Sequence, residues 1–383
     1  MIIHTVDDGE TPFSIARKYG IPVTKLLSDN SISTDRLIPG EQLAVIFPTR
    51  TVSVNAADTL EKLAKRFSVR PSYILSANPA LGGKRRLTPG QTITVKQAAP
   101  TLGCASAVGY IHNGISPENL TRSLPYITYY LINSALLAGA QISYTFDSSD
   151  ICAALKEEGK IPILCVQDLS GGEYLGDRSA SDKLIRELIC AAREGGFFGV
   201  CISSPNASDE RFAEFVMLAR RGFIGSDLLF FTEVKEDGAA AAELSDGAIL
   251  HGVFKKGKEA LSRFASSTES SKIFISLDCE PKRDGRPISV SDARKLCLRD
   301  GKRFAKQKED AFIGFTHTAY TRGKAEHQSI LCPSLEYIKA KLTEISELGY
   351  MGIAVNIGNL PTAIYSIFNA LFARADYSGF HPM

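Results

Sequence analysis

Residues 4–30, HTVDDGETPFSIARKYGIPVTKLLSDN, and residues 52–78, VSVNAADTLEKLAKRFSVRPSYILSAN, form an internal repeat. The aligned pairs are Thr11 with Thr59, Ala16 with Ala64 and Asn30 with Asn78, all 48 residues apart, and Gly40 with Gly90, 50 residues apart. Each copy predicts a short strand, a helix that begins at a threonine, a second helix that ends at an asparagine, and a strand after Pro-Gly. Because self-similarity at a fixed spacing indicates a duplicated unit, the chain is expected to begin with two βααβ units.

Each copy resembles the LysM carbohydrate-binding module along its whole length, over residues 1–48 and 49–97. The shared features are a Thr preceded by Glu or Asp, a helix containing I/L-A-[KR]-[KR]-[YF], an LL or IL pair followed by Asn, and [IL]-x-Pro-Gly-[EQ]. The resemblance implies binding of N-acetylglucosamine polymers, in peptidoglycan or chitin, in a shallow groove between two loops. In this sequence the loops are Gly9, Glu10, Thr11 and Pro12 with Asn30, Ser31 and Ile32, and Ala57, Asp58, Thr59 and Leu60 with Asn78, Pro79 and Ala80.

A second interpretation gives the loop threonines a purely structural role. Thr11 and Thr59 each precede a predicted helix, where a side-chain hydroxyl caps free backbone N–H groups. The two roles are compatible, so both stay open. The copies also depart from the usual pattern, the first at Pro12 and the second at Ala57, where a glycine is absent.

After a linker at 98–103, eight apolar runs alternate with amphipathic segments over residues 104–383. Apolar strands that alternate with helices indicate a parallel sheet covered on both faces. Eight of them predict a closed β/α barrel, so the fold class is α/β. The seventh and eighth runs are about 70 residues apart, which predicts a small α+β insertion at about 279–333. The runs are SAVGYIHN, YITYYLIN, IPILCVQ, FFGVCISS, DLLFFTE, GAILHGVF, KIFISLD and MGIAVNIG.

The element order and the fourth run resemble glycoside hydrolase family 18, in the group of spore cortex-lytic N-acetylglucosaminidases and sporulation glycosylases. The family's strand-four motif is DGxDxDxE, in which the last Glu is the general acid and the Asp before it positions the substrate acetamido group. Protonation of a glycosidic oxygen needs a titratable acid. The resemblance therefore implies a barrel without catalytic residues, because the four acidic positions hold Phe198, Cys201, Ser203 and Pro205.

Two further positions of the family site are changed. The strand-six tyrosine falls on Leu250, His251 or Gly252, and the strand-eight tryptophan is missing because the chain contains no Trp. Barrel enzymes carry their sites at the carboxyl ends of the strands. A pocket that remained there would be lined by Tyr110, Asp168, His251, Asp278 and Asn356.

Other carboxylates are alternatives for catalysis. Asp209 and Glu210 lie at a predicted helix start, where acidic groups stabilise the first turn, and this role is favoured over catalysis. Sequence alone does not place two carboxyl groups at the separation of about 5–9 Å that glycoside hydrolysis needs. The remaining acids near strand ends are Asp168, Glu173, Asp278 and Glu280.

The composition argues against several classes of protein. With 44 Lys and Arg against 42 Asp and Glu, the chain has no general basic field for nucleic acid. The eight cysteines contain no CxxC pair and predict buried free thiols, Cys165, Cys190 and Cys201 among them. His112 and His251 lack metal-ligand spacing, so no metal is expected. No Gly-rich phosphate loop follows a strand, so no nucleotide cofactor is expected.

Two hypotheses for function follow. The first is a non-catalytic protein of the spore or cell envelope that binds N-acetylglucosamine glycans and carries an inactive family 18-like barrel. The alternative is an active peptidoglycan N-acetylglucosaminidase that uses carboxylates outside the family motif. The sequence shows neither a secretory signal nor an apolar stretch of about 18 residues. We therefore expect synthesis in the cytoplasm, in the mother cell of a sporulating bacterium, and deposition on the spore coat or cortex.

Overall fold

A computed structural model describes residues 1–32, 36–139, 141–307, 310–321 and 324–374 of the chain. The strands are β1 Ile2–Thr5, β2 Gln42–Val45, β3 Pro48–Ser53, β4 Thr92–Gln97, β5 Cys104–Ile111, β6 Tyr129–Ala138, β7 Gln141–Tyr144, β8 Ile161–Asp168, β9 Gly199–Ser203, β10 Leu229–Val234, β11 Gly247–Leu250, β12 Ile273–Ser276, β13 Lys282–Arg283, β14 Arg286–Pro287, β15 Ala305–Lys306, β16 Phe312–Thr321, β17 Lys324–Pro333, β18 Gly352–Asn356 and β19 Ala373–Arg374. The helices are α1 Pro12–Tyr19, α2 Val23–Asn30, α3 Leu60–Phe67, α4 Pro71–Ser76, α5 Pro117–Ser123, α6 Ser149–Glu157, α7 Arg178–Glu194, α8 Glu210–Ile224, α9 Ala239–Leu244, α10 Lys258–Ser267, α11 Val290–Arg299, α12 Leu335–Glu347 and α13 Thr362–Leu371.

The two N-terminal repeats have the βααβ fold that the sequence predicts. In each repeat two helices pack on a two-stranded antiparallel sheet, β1 with β2 and β3 with β4. Each repeat has its own apolar core, around Ile15 and Leu26 in the first and around Leu63 and Ile74 in the second. The repeats are therefore two small units, each with a separate interior.

The C-terminal part is a closed barrel of eight parallel strands. The ring order is β5, β6, β8, β9, β10, β11, β12 and β18, and β5 closes it by pairing with both β6 and β18. These are the eight apolar runs of the sequence, so the barrel prediction is confirmed. Two short strands lie outside the ring, β7 antiparallel to β6 and β19 parallel to β5.

Buried side chains fill the interior of the barrel between the strands, so the barrel is a packed core. Large rings occupy the amino-terminal end, where Tyr129, Phe231 and Phe274 contact one another with centroids 5.6–6.2 Å apart. Smaller groups, among them Cys165 and Cys201, belong to the same interior cluster. We call the face of the ring at the carboxyl ends of the strands the mouth.

The predicted insertion between the seventh and eighth ring strands is present. Residues 282–333 supply a five-stranded sheet, in the order β14, β13, β17, β16 and β15, together with α11. The hairpin of β16 and β17 pairs residue for residue from Phe312 with Pro333 to Thr321 with Lys324. The insertion is thus an α+β subdomain.

The first repeat packs on this insertion. Ile38 lies in an apolar cluster with Cys297, Phe304 and Ile313. The backbone N–H of Phe304 donates to the carbonyl of Pro39 at 3.0 Å. The first repeat and the barrel are therefore joined through a shared core, although the sequence separates them by the second repeat.

The expectation that the eight cysteines are buried is wrong for Cys104 and Cys190, which are exposed, and Cys332 is half-buried. Cys190 is exposed, because α7 turns Leu184, Leu188 and Ala191 toward the barrel and leaves position 190 outside that face. Cys165 and Cys201 are buried as expected. Within the described residues, no helix is long and apolar enough to cross a membrane.

Candidate functional site

Three polar side chains meet at the centre of the mouth. Tyr110 on β5 donates its hydroxyl to Oε1 of Glu233 on β10 at 2.6 Å, and the same hydroxyl is 3.2 Å from Nε2 of His251, which follows β11. Nε2 of His251 is 3.7 Å from Oε1 of Glu233. Since β5 and β10 lie on opposite sides of the ring, this contact crosses the barrel. We call Tyr110, Glu233 and His251 the mouth group.

The environment of Glu233 keeps it ionised. Burial alone would raise the pKa of this carboxyl. The hydrogen bond from Tyr110 and the nearby side chains of His251 and Ser203 outweigh burial and hold the pKa of Glu233 below its usual value. Burial and the neighbouring carboxylate raise the pKa of Tyr110, so its hydroxyl stays protonated and continues to donate.

The four positions of the strand-four motif have different surroundings. Phe198 precedes β9 and faces the opposite end of the barrel. Cys201 is fully buried in the barrel interior, and Ser203 is the register partner of Glu233 on the neighbouring strand. Pro205 is exposed beyond the strand. Only positions 201 and 203 therefore approach the mouth group, and neither carries a carboxylate.

The pocket predicted from sequence is brought together in part. Tyr110 and His251 meet in the mouth group, but Asp168 belongs to a different cluster. Its carboxylate is 1% exposed. It accepts hydrogen bonds from the hydroxyls of Ser170, Tyr174 and Ser204 at 2.6, 2.9 and 2.7 Å. These donors satisfy Asp168 in the wall of the barrel, so it is not available to the mouth.

The other two predicted pocket residues are engaged locally. Asp278 forms an ion pair with Lys282, four residues further along the chain. Oδ1 of Asn356 accepts the backbone N–H of Gly358 at 3.0 Å and holds the turn after β18. Both side chains follow strand ends, as the sequence indicates, without hydrogen bonding to the mouth group.

The alternative carboxylates also have local roles. Asp209 caps α8, where it accepts the backbone N–H of Arg211 at 2.9 Å, and this confirms the capping interpretation. Glu210 and Glu173 are exposed. Burial raises the pKa of Glu280, and Asp278 adds to the effect.

His112 borders the mouth group. Its ring stacks near that of Tyr110, with centroids 6.4 Å apart, and its Nδ1 lies 3.4 Å from the amide of Asn133. Burial lowers the pKa of His112, although Glu233 opposes the change. His112 therefore lies at the edge of the mouth group, where its ring is partly shielded from solvent.

Sequence reasoning missed Glu233, the carboxylate at the centre of the mouth. Glu233 is the last residue of the fifth apolar run, DLLFFTE, and lies within β10, yet it is not among the acids predicted from the sequence. The signal was the two-residue alternation of a strand, because Phe231 points into the barrel and Glu233 must point the same way. The sequence pattern therefore indicated a charged residue on the inward face of a barrel strand.

The predicted glycan-binding loops of the repeats are partly structural. Oγ1 of Thr11 accepts the backbone N–H of Ser14 at 3.1 Å, and Oγ1 of Thr59 accepts that of Lys62 at 3.2 Å. Both threonines therefore cap helices, and both remain exposed to solvent. The capping interpretation is confirmed, and it leaves the outer face of each loop open.

The asparagine of each repeat closes its fold. The side-chain amide of Asn30 donates to the carbonyls of Leu26 and Ala44 and accepts the N–H of Ala44, all within 2.9 Å. Asn78 makes the same three bonds to Ile74 and Thr94, each 2.7 Å long. Because all these groups are buried, the two asparagines hold the second loop in place and do not face a ligand.

The remaining loop residues divide between exposed and buried positions. Asp58 accepts the N–H of Asn55 at 2.8 Å, and Glu10 accepts that of Asp7 at 2.8 Å, so each acid holds its own turn. Exposed or half-exposed loop residues are Gly9, Glu10, Ser31, Ala57, Asp58 and Ala80, and buried ones are Pro12, Ile32, Leu60 and Pro79.

Beside the first loop, the side chain of Phe13 is 65% exposed at the start of α1. An aromatic ring in such a position can cover the apolar face of a sugar ring, and the second repeat has Glu61 there. Phe13 was absent from the predicted site because an exposed aromatic cannot be told from a buried one by its position after a cap.

A cavity of about 1180 Å³ lies at the other end of the barrel. Arg70 and Arg85 of the second repeat border it, opposite the amino-terminal ends of the ring strands. Arg220 and Lys272 in its wall form ion pairs with Asp246 and Glu243. The cavity is therefore separate from the mouth group, and its charges are largely balanced.

Comparison with known proteins agrees with this architecture. Residues 4–45 and 52–96 match the LysM domain family. The spore cortex-lytic enzyme SleL of Bacillus megaterium QM B1551 superimposes with a TM-score of 0.74 at 18% identity, over 97% of this chain and 98% of that one. The SleL structure of Bacillus cereus gives 0.72 at 17% identity, over 98% of both chains. The whole chain, repeats included, thus has the fold of these structures.

A curated relative points in the same direction. YdhD of Bacillus subtilis (strain 168), described as a sporulation-specific glycosylase, is 22% identical over 218 residues, which are 54% of this chain and 51% of YdhD. The chain therefore spans about half the length of this relative. Two LysM domains joined to an eight-stranded β/α barrel are shown, and the match does not carry activity over to this chain.

Proposed function

We propose that this protein binds N-acetylglucosamine-containing glycans of a bacterial spore or cell wall through its LysM domains, and that its barrel does not hydrolyse them. The LysM match and the open outer faces of the Thr11 and Thr59 loops support the binding part. The names of SleL and YdhD support a spore-related place of action. Synthesis in the mother cell and deposition on the coat or cortex are the further part of this proposal.

The ionised state of Glu233 carries the proposal of inactivity. A general acid must hold a proton near the working pH before it can give it to the leaving oxygen. Glu233 accepts a hydrogen bond from Tyr110 and lies beside His251 and Ser203, and these three neighbours lower its pKa. Loss of general acid catalysis costs a factor of about 10²–10⁴ in rate, and the strand-four positions Ser203 and Pro205 offer no replacement.

Hydrolysis assays test this directly. We expect purified full-length protein to leave chitooligosaccharides and cortex peptidoglycan intact within the background of a heat-treated sample. Glu233→Gln and Glu210→Gln are the matched variants, one inside the mouth and one on an exposed helix start. Turnover by the wild type that either variant abolishes would overturn inactivity.

One observation favours the second candidate, an active glycosidase that acts on N-acetylglucosamine linkages. Glu233 lies where barrel enzymes place their chemistry, at the carboxyl end of a strand, and Tyr110 and His251 are in contact with it. If Glu233→Gln alone removes measured turnover while Glu210→Gln retains it, this candidate replaces the first.

Retention on insoluble peptidoglycan tests the binding part. The matched variants are Phe13→Ala in the first repeat and Glu61→Ala at the aligned position of the second. Because the Phe13 ring is 65% exposed, its removal should weaken retention several-fold without lowering the unfolding temperature. Equal retention of both variants would remove Phe13 from the binding surface, and equal retention by residues 101–383 alone would assign binding to the barrel.

A further inference from the structure

Two cysteines lie directly below the mouth group. Cys165 on β8 and Cys201 on β9 are register partners on neighbouring parallel strands, so their side chains project side by side into the barrel. Their exposed fractions are 2% and 0%. Their sulfur atoms lie within 4.8 Å of each other. The two thiols thus lie side by side in one layer of the barrel interior and face the mouth group.

Glu233 lies above this pair. One sulfur of each cysteine and one carboxylate oxygen of Glu233 all lie within 4.8 Å of one another. Zn–S bonds of about 2.3 Å and Zn–O bonds of about 2.0–2.2 Å place the ligand atoms of a tetrahedral zinc ion about 3.5–3.8 Å apart. The three groups therefore need only a small movement toward a common centre to bind one ion.

A fourth ligand is near. Nε2 of His251 is 3.7 Å from the Glu233 carboxylate, and its side chain is 34% exposed, so this residue connects the three buried groups to solvent. Two thiolates, a carboxylate and an imidazole are donors that zinc accepts, whereas magnesium and calcium prefer oxygen alone. An ion would enter through the mouth and pass His251.

We propose that Cys165, Cys201 and Glu233, with His251 as the fourth ligand, form a binding site for a divalent zinc-type ion in the barrel mouth. Binding releases the two thiol protons to solvent, and the divalent ion offsets two of the three negative charges of the Glu233 carboxylate and the two thiolates. This site goes beyond glycan binding and does not depend on it. It also differs from the sequence expectation, since three ligands come from separate strands and His251 follows a fourth, which leaves no local spacing pattern.

Metal binding by the full-length protein is the test. Reduced protein is stripped with a chelator, dialysed against Zn²⁺ or Co²⁺, and assayed for bound metal by mass spectrometry. We expect one ion per chain, and for Co²⁺ the near-ultraviolet absorption of a thiolate–cobalt bond together with visible bands of tetrahedral cobalt. Cys165→Ser and Cys201→Ser should each weaken affinity at least about 100-fold, and Glu233→Gln at least about 10-fold.

Cys279→Ser is the matched control, because Cys279 is also a buried free thiol but lies outside the cluster. It should bind metal like the wild type. Binding that survives in both cluster variants, or bound cobalt without thiolate absorption, would overturn the site. A Cys165–Cys201 disulfide in protein purified without reductant, with no metal uptake after reduction, would identify a redox pair and likewise overturn it.

A measurement on the wild type covers the case in which a serine variant fails to fold. Under conditions of slow alkylation, Zn²⁺ should protect Cys165 and Cys201 from modification at least about 10-fold, since a metal-bound thiolate is a poorer nucleophile than a free one. The modification of Cys190, which is exposed on α7, should be unchanged. Equal rates for Cys165 and Cys201 with and without Zn²⁺ would contradict the proposal.

Discussion

The Pro-Gly turns of the two LysM repeats have the same backbone and opposite surroundings. The N–H of Gly40 donates to Val6, and that of Gly90 donates to Val54, both at 2.8 Å. Gly40 has a φ of +81° and Gly90 one of +85°. The turn of the first repeat is nevertheless covered by the barrel insertion, whereas the turn of the second is open to solvent. One local structure thus serves two different tasks.

Two aligned positions explain the difference. Ile38 of the first repeat corresponds to Thr88 of the second, and Glu41 corresponds to Gln91. The side chain of Glu41 accepts the backbone N–H of Ile38, and the side chain of Gln91 accepts the backbone N–H of Thr88. The turn therefore forms with either pair of residues. The apolar Ile38 and the charged Glu41 of the first repeat allow its turn to pack against the insertion.

The largest effect should come from the docking charge. Glu41 pairs with Arg294, and both side chains are nearly buried, at 8% and 12% exposed. Glu41→Gln leaves the guanidinium buried without a counter-charge, which we expect to cost about 3 kcal/mol of unfolding free energy. Gln91→Glu is the control, with no measurable cost. Urea titration of both variants measures the difference, and equal midpoints would show that the pair does not hold the first repeat on the barrel.

A pair of alanine substitutions at the two glycines sharpens the comparison. Each puts a Cβ on a backbone with positive φ, at a cost of about 1–2 kcal/mol. At Gly40 the new atom would also lie 1.9 Å from the carbonyl oxygen of Phe304, whereas at Gly90 nothing lies within 4 Å. Gly40→Ala should therefore cost about 1–3 kcal/mol more than Gly90→Ala. Equal losses of unfolding free energy in the two variants, measured by thermal unfolding, would mean that the docked turn moves away from Phe304 without a cost.

The smallest effect concerns the apolar contact. Ile38 is 1% exposed beside Cys297 and Phe304, so Ile38→Thr should cost about 1–2 kcal/mol by burying a hydroxyl and removing a methyl contact. Thr88→Ile, on the exposed turn, should stay within about 0.5 kcal/mol of the wild type. Limited proteolysis after residue 36 offers a second readout, because undocking exposes that segment. Cleavage rates that are equal in the two variants would contradict the contact.

The repeats and the barrel strands were predictable because their signals are local. Caps, Pro-Gly turns and apolar runs lie within a few residues of the structure they specify, as at Thr11 and Thr59. The docking of the first repeat was not predictable, because Ile38 is simply an apolar residue until Phe304 and Ile313 are placed beside it. The position of Ile38 in the sequence does not indicate that these two residues are its neighbours.

The mouth group shows the same limit at the candidate site. Asp168, Asp278 and Asn356 were expected there because each follows a strand, yet their side chains turn to local partners. Glu233 was readable from the alternation along β10, but its contact with Tyr110 depends on ring closure. A residue's place along a strand was therefore predictable, and its partner across the barrel was not.

The docking contact also has a consequence for the order in which the protein is made. Glu41 and Arg294 are 253 positions apart in sequence, and at about 5–20 residues per second the ribosome needs roughly 10–50 s to travel between them. During that time the newly made first repeat carries an uncovered Ile38 and a solvated Glu41, while the second repeat already has all its core partners. The first repeat is therefore finished only when the insertion emerges, long after its own strands have paired.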